Sequence, residues 1–446
     1  MKTCLPTGPS FRRLIDILDY LVDDRVGIVR YVQDARREAG VPDFFHYFAR
    51  ACSTQALSLQ TNFSAAGGAA ATRERAIAKA VGEAVERYCG ALFSVEDLPL
   101  ESVESAPFPC VSPDAFALYS VEQYESPGFP WVPFDEQTPV RWAPAVNPLT
   151  GKTLYVPAAM VFIPYYYYQG TGDAPIVQPI STGLACHCSP AEAAISAACE
   201  TIERDAFTIT WQGCVSAPHV LVETLSDANY DLVRRFEQTG SEVTILNITT
   251  DAGIPSILSV LRHPAPQAPA LTFAASTALD PEEAIRKSLE ELAHTRRYMQ
   301  QIKNRMPPLV PDLYHANVVD QITHLHFWND HAQASLADFV FASPRRVEFD
   351  EIENLATGNP AEELAILCER IEAVGHRVLI TDVTTPDVGE LGLSVVRAVI
   401  PGFHPLFMGY GIRALGGSRL WEVPQKLGHP GVKRASGDNP VPHPYP

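Results

Sequence analysis

Three stretches of the chain share one arrangement of apolar and polar positions. Each opens on a run of small residues, SAAGGAAA, STGLACHC or AASTAL, and continues into a segment whose apolar residues recur at helical spacing. The predicted helix starts are marked by capping residues: Thr72, then Ser189 with Pro190 and Glu192, then Asp280 with Pro281 and Glu283. Thr72 to Glu83, Ser189 to Glu200 and Asp280 to Glu291 are each eleven residues apart, about three helical turns. The spacing predicts three related strand–loop–helix units with a glutamate at the same height in each. In the middle helix Ser196, Glu200, Glu203 and Arg204 share one face, because residues three and four apart stack along a helix. The first helix carries Lys79, Glu83, Glu86 and Arg87; the third carries Glu291 and His294.

Around these units the pattern changes. Within residues 11–55, FRRLIDILDYLVDD predicts an amphipathic helix and VGIVRYVQDAR a strand. Residues 101–180 mix prolines, aromatics and short apolar runs, which predicts β-structure with proline-bounded edges. EVTILNIT, IPSILSVLR and ALTFAAS predict strands within 215–275. AEELAILCERIEAV, residues 361–374, predicts a helix with Glu362, Glu369 and Glu372 on a solvated face, followed by a strand pair in HRVLITDVT and LSVVRAVIPG.

Composition narrows the function classes. The 446 residues suffice for a large core, and the net charge of −18 without a basic run argues against nucleic acid or an anionic membrane as partner. The N-terminus lacks the apolar core of a signal peptide, and no stretch is long and apolar enough to span a bilayer. Nine cysteines without regular spacing predict reduced thiols in a cytoplasmic protein.

Other chemical motifs are weaker. Gly151-Lys152-Thr153 lacks the earlier glycine of a phosphate loop, since Val146 stands there, so a turn between two strands is expected. Cys186-His187-Cys188 has no second ligand pair, and His315, His324, His326 and His331 follow no ligand spacing, so neither predicts a metal centre. Taken alone, the proline-rich end SGDNPVPHPYP would be a disordered tail or a ligand for a proline-binding module. Three helices with one glutamate offset are a stronger signal than isolated surface salt bridges.

The ExxER of Glu83, Glu86 and Arg87, the SxxxExxERD of Ser196, Glu200, Glu203, Arg204 and Asp205, and the third glutamate helix together resemble the YcaO family. The pattern departs from the family's usual one at Lys79, where serine is usual, at Ala69, where lysine is common, and at His294, where glutamine is frequent. NPVPHPYP resembles the PxPxP ending of the azoline-forming members.

The resemblance implies an α+β fold with three strand–loop–helix units around one ATP and Mg2+ pocket. It extends over residues 1–446 as a single catalytic domain, with a lead-in of 1–55, an ATP-binding core of 56–419 and a proline-rich tail of 420–446 reaching the active site. It implies Glu83, Glu86, Glu200, Glu203 and Glu291 as metal or ATP-anchoring groups. Lys79, Arg87, Ser196, Arg204 and His294 become nucleotide contacts, Arg413 and Arg419 phosphate or tail contacts, and the carboxylate of Pro446 the base.

The implied reaction is ATP-dependent cyclodehydration, as in bacteriocin-like biosynthesis. A Cys, Ser or Thr side chain of a ribosomal precursor peptide attacks the preceding carbonyl. The oxygen leaves as phosphate, giving a thiazoline or oxazoline. The lead-in is shorter than a peptide-binding domain, so a separate ThiF-like leader-binding protein is expected as partner. A flavin-dependent dehydrogenase is a further partner the resemblance allows. The same ATP site also suits thioamide or amidine formation, against which the tail argues. A non-catalytic ATP-binding subunit and a structural scaffold are the alternatives from other classes.

Overall fold

The computed structural model describes residues 10–35, 40–167 and 170–445. Pro446, the expected base, lies outside the described residues. Helices and three sheets alternate along the chain, giving the α+β architecture the sequence predicts.

Each sheet ends on a strand that feeds a glutamate helix. Ala65–Ala70 is the edge of a three-stranded antiparallel sheet and leads into the helix Arg73–Cys89. Leu184–His187 is the edge of a six-stranded sheet and leads into Pro190–Gln212. Leu271–Thr277 is the edge of a five-stranded sheet and leads into Pro281–Arg305. Each helix packs on a strand of its own sheet and also touches the edge strand of the next unit, the third helix returning to the first. The three units therefore close a ring, and the glutamates face its interior.

Small residues make the ring tight enough. Ala193, Ala194, Ala197 and Ala198 are buried where the middle helix meets the sheet. A Cβ on Gly68 would come within 2.6 Å of the carbonyl of Ala76, and one on Gly67 within 2.6 Å of the His294 ring. Two glycines in a strand are locally unfavourable; here they let the strand lie against two helices at once.

The caps follow the predicted positions with different bonding. Ser189 accepts from the backbone of Glu192, and Asp280 accepts from that of Glu282. Thr72 stands at the N-cap without a side-chain cap bond. Gly151 sits at φ +67° in the turn joining Val140–Val146 to Thr153–Pro157, as expected of a hairpin rather than a phosphate loop. The interval 101–180 holds fewer strands than predicted, because much of it is loop packed around Trp142 and Ile176. Unpredicted helices occupy Asp227–Glu237 and Gln321–Phe327. The final segment, read as tail from residue 420, is first a helix: Arg419–Lys426 packs on the middle helix, and the extended chain follows it. No helix among the described residues is long and apolar enough to cross a membrane.

One buried ion network locks this arrangement. Asp205 accepts two hydrogen bonds from Arg419, at 2.8 and 2.7 Å, and one from the backbone of His404 at 2.7 Å. Arg419 also reaches Asp251 at 2.8 Å. Removing one partner strands the others away from water, which costs about 3–5 kcal/mol. Arg419→Met is expected to lower unfolding stability by about 3 kcal/mol or more, read by urea denaturation. Arg370→Met, which breaks the exposed pair with Glu353, is expected to change it by less than about 1 kcal/mol. Equal effects of the two substitutions would contradict the locking role.

Candidate active site

The glutamates of the first helix hold the edges of neighbouring strands. Glu83 accepts from the backbone N–H of Gly67 at 2.8 Å and pairs with Arg87, which also donates to the carbonyl of Ala65. Glu86 accepts from the backbone N–H of Cys186 at 2.8 Å, on the edge strand of the second unit. Glu290 of the third helix accepts from Ala71, just past the first edge strand, at 3.0 Å. Edge-strand N–H groups turned inward need acceptors, and glutamates from the adjoining helices supply them.

The middle helix contributes a carboxylate pair and its counter-ion. Arg204 donates to Glu200 at 3.1 Å and is hydrogen-bonded to Glu203. Ser196, Glu200 and Glu203 line one wall of a cleft of about 410 Å3; Ser276, Thr277, Asp280, Glu283 and Lys287 form much of the other. Lys79 lies 3.0 Å from buried Glu290 and 3.9 Å from the half-exposed Glu291. His294 sits against Gly67, and its buried Nδ1 has no hydrogen-bond partner among the described residues. The structure thus brings together Lys79, Glu83, Glu86, Arg87, Ser196, Glu200, Glu203, Arg204, Glu291 and His294 around the inner ends of the three units.

The two other arginines are committed elsewhere. Arg413 holds Asp438 in a forked pair at 2.7 and 3.2 Å, which makes it a tail contact. Arg419 is engaged by Asp205 and Asp251, away from the cleft, because Asp205 points to the opposite side of the helix from Glu200.

The extended chain after Lys426 returns to the site. Asn439 donates to the carbonyl of Gln212 at 2.9 Å. The carbonyls of Val441 and Pro442 accept from the indoles of Trp211 and Trp328, both at 2.9 Å. A proline-rich strand has few N–H groups to satisfy, so its carbonyls are what a docking surface must bind. His443 stacks on His324 with ring centroids 4.0 Å apart, and burial keeps both imidazoles from gaining a proton. Tyr445 is 2% exposed; its hydroxyl donates to Glu203 and accepts from Arg204 at 2.8 Å. Sequence reasoning singled out the end of the tail for its terminal carboxylate and passed over this phenol.

The electrostatics of the cluster are those of a cation site. Desolvation raises the Glu86 pKa to about 8, against the Cys186 bond, with Glu200 and Glu83 adding repulsion. Desolvation raises Glu203 to about 7, although Arg204 and Tyr445 oppose it. Glu200 is raised for the same first reason, with Arg204 and Arg397 opposing. Like-charged carboxylates withdrawn from water favour ionisation only beside added positive charge. Among the described residues no three His, Cys, Asp or Glu side chains gather as a direct metal cage. An all-oxygen set of this kind fits Mg2+, which takes one or two carboxylates and completes its shell with water and phosphate oxygens. Glu83, Glu86, Glu200 and Glu203 are the residues that would hold it.

Besides Tyr445, two residues were missed. Lys287 stands four residues from both Glu283 and Glu291, a spacing that puts it on their helix face. Arg397 is the lone charge in the strand Ser394–Val399, flanked by Val395, Val396, Ala398 and Val399, a pattern that signals a functional or paired group.

The chain is similar to known proteins in sequence and in fold. Residues 67–404 match the family model described as YcaO cyclodehydratase, ATP- and Mg2+-binding. An uncharacterized protein of Methanothermobacter thermautotrophicus is 28% identical over 76% of this chain and 81% of its own length. The fold is similar to that of a heterocyclase in complex with substrate and cofactor, with TM-score 0.78 and 19% identity, covering 98% of this chain. This chain spans 57% of that heterocyclase's length. It is also similar to YcaO from Methanopyrus kandleri bound with AMPPCP and Mg2+, with TM-score 0.64, 20% identity, and coverage of 88% of this chain and 90% of the other. With a family match over residues 67–404, most of its length, the chain belongs to the YcaO family of ATP- and Mg2+-binding cyclodehydratases.

Proposed function

We infer that the protein is an ATP-dependent cyclodehydratase that turns Cys, Ser or Thr residues of a ribosomally made peptide into thiazolines or oxazolines. The observation that carries this reading is the docked tail. Residues 439–445 run along the middle helix and end with Tyr445 hydrogen-bonded to Glu203 and Arg204. A nucleotide-binding subunit without chemistry has no use for a proline-rich tail held against its carboxylates. Thioamide- or amidine-forming activity is the alternative within the family.

ATP and Mg2+ would supply the phosphoryl group that carries away the amide oxygen and the charge that neutralises it. The chain's own residues position and polarise. Glu83, Glu86, Glu200, Glu203 and Glu291 present oxygen ligands. Lys79, Arg87 and Arg204 balance phosphate charge, and Ser196 and His294 contact the nucleotide. Tyr445 holds Glu203 and Arg204 in one orientation, so that the pair is preorganised before nucleotide arrives. Proton removal is assigned to the carboxylate of Pro446, which follows Tyr445 in sequence. A separate leader-binding protein would deliver the peptide, and a flavin-dependent dehydrogenase would act afterwards where azoles are the product.

Three outcomes test this. The first is the intact mass of a precursor peptide after incubation with the protein, its partner and Mg-ATP. One water is expected to be lost per modified residue; replacement of oxygen by sulfur on adding sulfide would move the assignment to thioamide formation. Glu200→Gln is expected to weaken Mg-ATP binding by about 10-fold or more and to abolish turnover. Deletion of Val441–Pro446 is expected to leave nucleotide binding and stop product formation; full activity of the truncated protein would contradict the role of the tail.

A further prediction concerns pH. Folded Glu86 keeps its proton to about pH 8, and Glu203 to about 7, whereas an unperturbed glutamate releases it near 4.5. Between those values the folded state binds more protons than the unfolded chain, so stability without nucleotide falls as pH rises through the window. Mg2+ binds the ionised carboxylates, so its affinity rises over the same range and binding releases protons. Melting temperature against pH, with and without Mg-ATP, is expected to show the fall and its reversal. Glu86→Gln is expected to flatten it; an unchanged slope in that variant would contradict the assignment.

A further inference from the structure

A second chamber lies on the other side of Arg204 from the nucleotide cleft. It encloses about 120 Å3 and is lined by Thr201, Arg204 and Arg397 together with apolar groups that include Leu406, Phe407 and Ala414. Glu200 and Glu203 line the cleft; Thr201 and Arg204, one residue further along the same helix, line the chamber. The row of Glu200, Glu203 and Arg204 is thus the partition between the two spaces.

The chamber holds an unsatisfied cation. Arg397 is 4% exposed, and one of its terminal nitrogens donates to the carbonyl of Ile180 at 2.7 Å. Its Nε and other terminal nitrogen have no partner among the described residues. Glu200 favours its charge at longer range, while burial opposes it. A guanidinium left with two open N–H faces in an apolar space is costly unless a ligand supplies acceptors. The volume is in the range of cavities that take a small hydrocarbon group, and the lining suits one. Thr182, Met160 and Ile412, all half-buried, stand at its boundary.

We propose that this chamber is the seat for a peptide residue with an apolar side chain next to the reacting Cys, Ser or Thr, with a backbone carbonyl of the same segment on Arg397. The chamber then selects the substrate by its flanking residue, and Arg204 stands between the seated residue and the nucleotide. A carbonyl suits Arg397 because it brings acceptor lone pairs without burying a second charge. The assignment rests on the cyclodehydratase reading for the identity of the ligand, but the chamber and its open arginine do not.

The test is equilibrium binding, read by ligand-observed NMR with Mg-AMPPCP present so that no turnover is needed. The probes are N-acetyl-leucyl-cysteine N-methylamide and its glycyl counterpart. The leucyl probe is expected to bind at least about 10-fold more tightly, the least that burying a leucine side chain yields. Thr182→Leu, which narrows the mouth, is expected to erase the difference and leave AMPPCP affinity unchanged. Arg397→Gln is expected to weaken both probes by a similar factor while keeping their ratio. Melting curves establish folding first, and Ile412→Phe replaces Thr182→Leu if that variant does not fold. Equal affinity of the probes for the wild-type protein, or a ratio that survives narrowing, would overturn the proposal. So would displacement of the leucyl probe by inorganic phosphate acting through Arg397, which would make the chamber an anion pocket. Discrimination without ATP-dependent loss of water from any peptide would keep the seat and remove the cyclodehydratase reading; turnover without discrimination would do the reverse.

Discussion

The site depends on one requirement: inward-facing N–H groups of edge strands must find acceptors. The first two edge strands present N–H groups to the same interior, where water cannot serve every donor. Glu83, Glu86 and Glu290 take the N–H groups of Gly67, Cys186 and Ala71. The carboxylates needed for this also collect negative charge in a desolvated space. Structure and chemistry thereby share residues: the groups that join the units are those that favour a bound cation.

The tail docks on the middle helix of the ring. Tyr445 joins the middle helix through Glu203 and Arg204, and packs on Phe207 with ring centroids 4.4 Å apart. Indoles, a histidine pair and Arg413 hold the preceding residues. These contacts draw on residues from 203 to 445, so the geometry at Glu203 is set by packing across much of the chain. Asp205 belongs to the same system from the back of the helix, through Arg419 and His404. The aspartate that closes the SxxxExxERD motif therefore fixes the helix, while the glutamates work on its other face.

The strand–loop–helix units were legible because their caps, small-residue runs and glutamate offsets are local. The hairpin at Gly151 was legible for the same reason. The partners were not. Nothing in a helical pattern tells that Glu86 meets Cys186, or that Glu290, beside the expected Glu291, is the buried member of the pair. Arg419 was expected to contact phosphate or the tail; the carboxylates that engage it, Asp205 and Asp251, are distant in sequence and no local pattern points to them. A role for the tail at the site was suggested by its prolines, yet its hydrogen bonds to Glu203 and Arg204 run through a tyrosine, which only the folded chain reveals. In the interval 101–180 the prolines marked loops as often as strand edges, since the same residue serves both.

The most direct measurement of the central claim is anomalous X-ray scattering from crystals of the protein grown with Mn2+ and AMPPCP. The account predicts manganese density between the glutamates of the first helix and Glu200 and Glu203 of the middle helix, with Tyr445 still on Glu203. Manganese bound only elsewhere, or nucleotide in the cleft with these carboxylates directed away from it, would contradict the account.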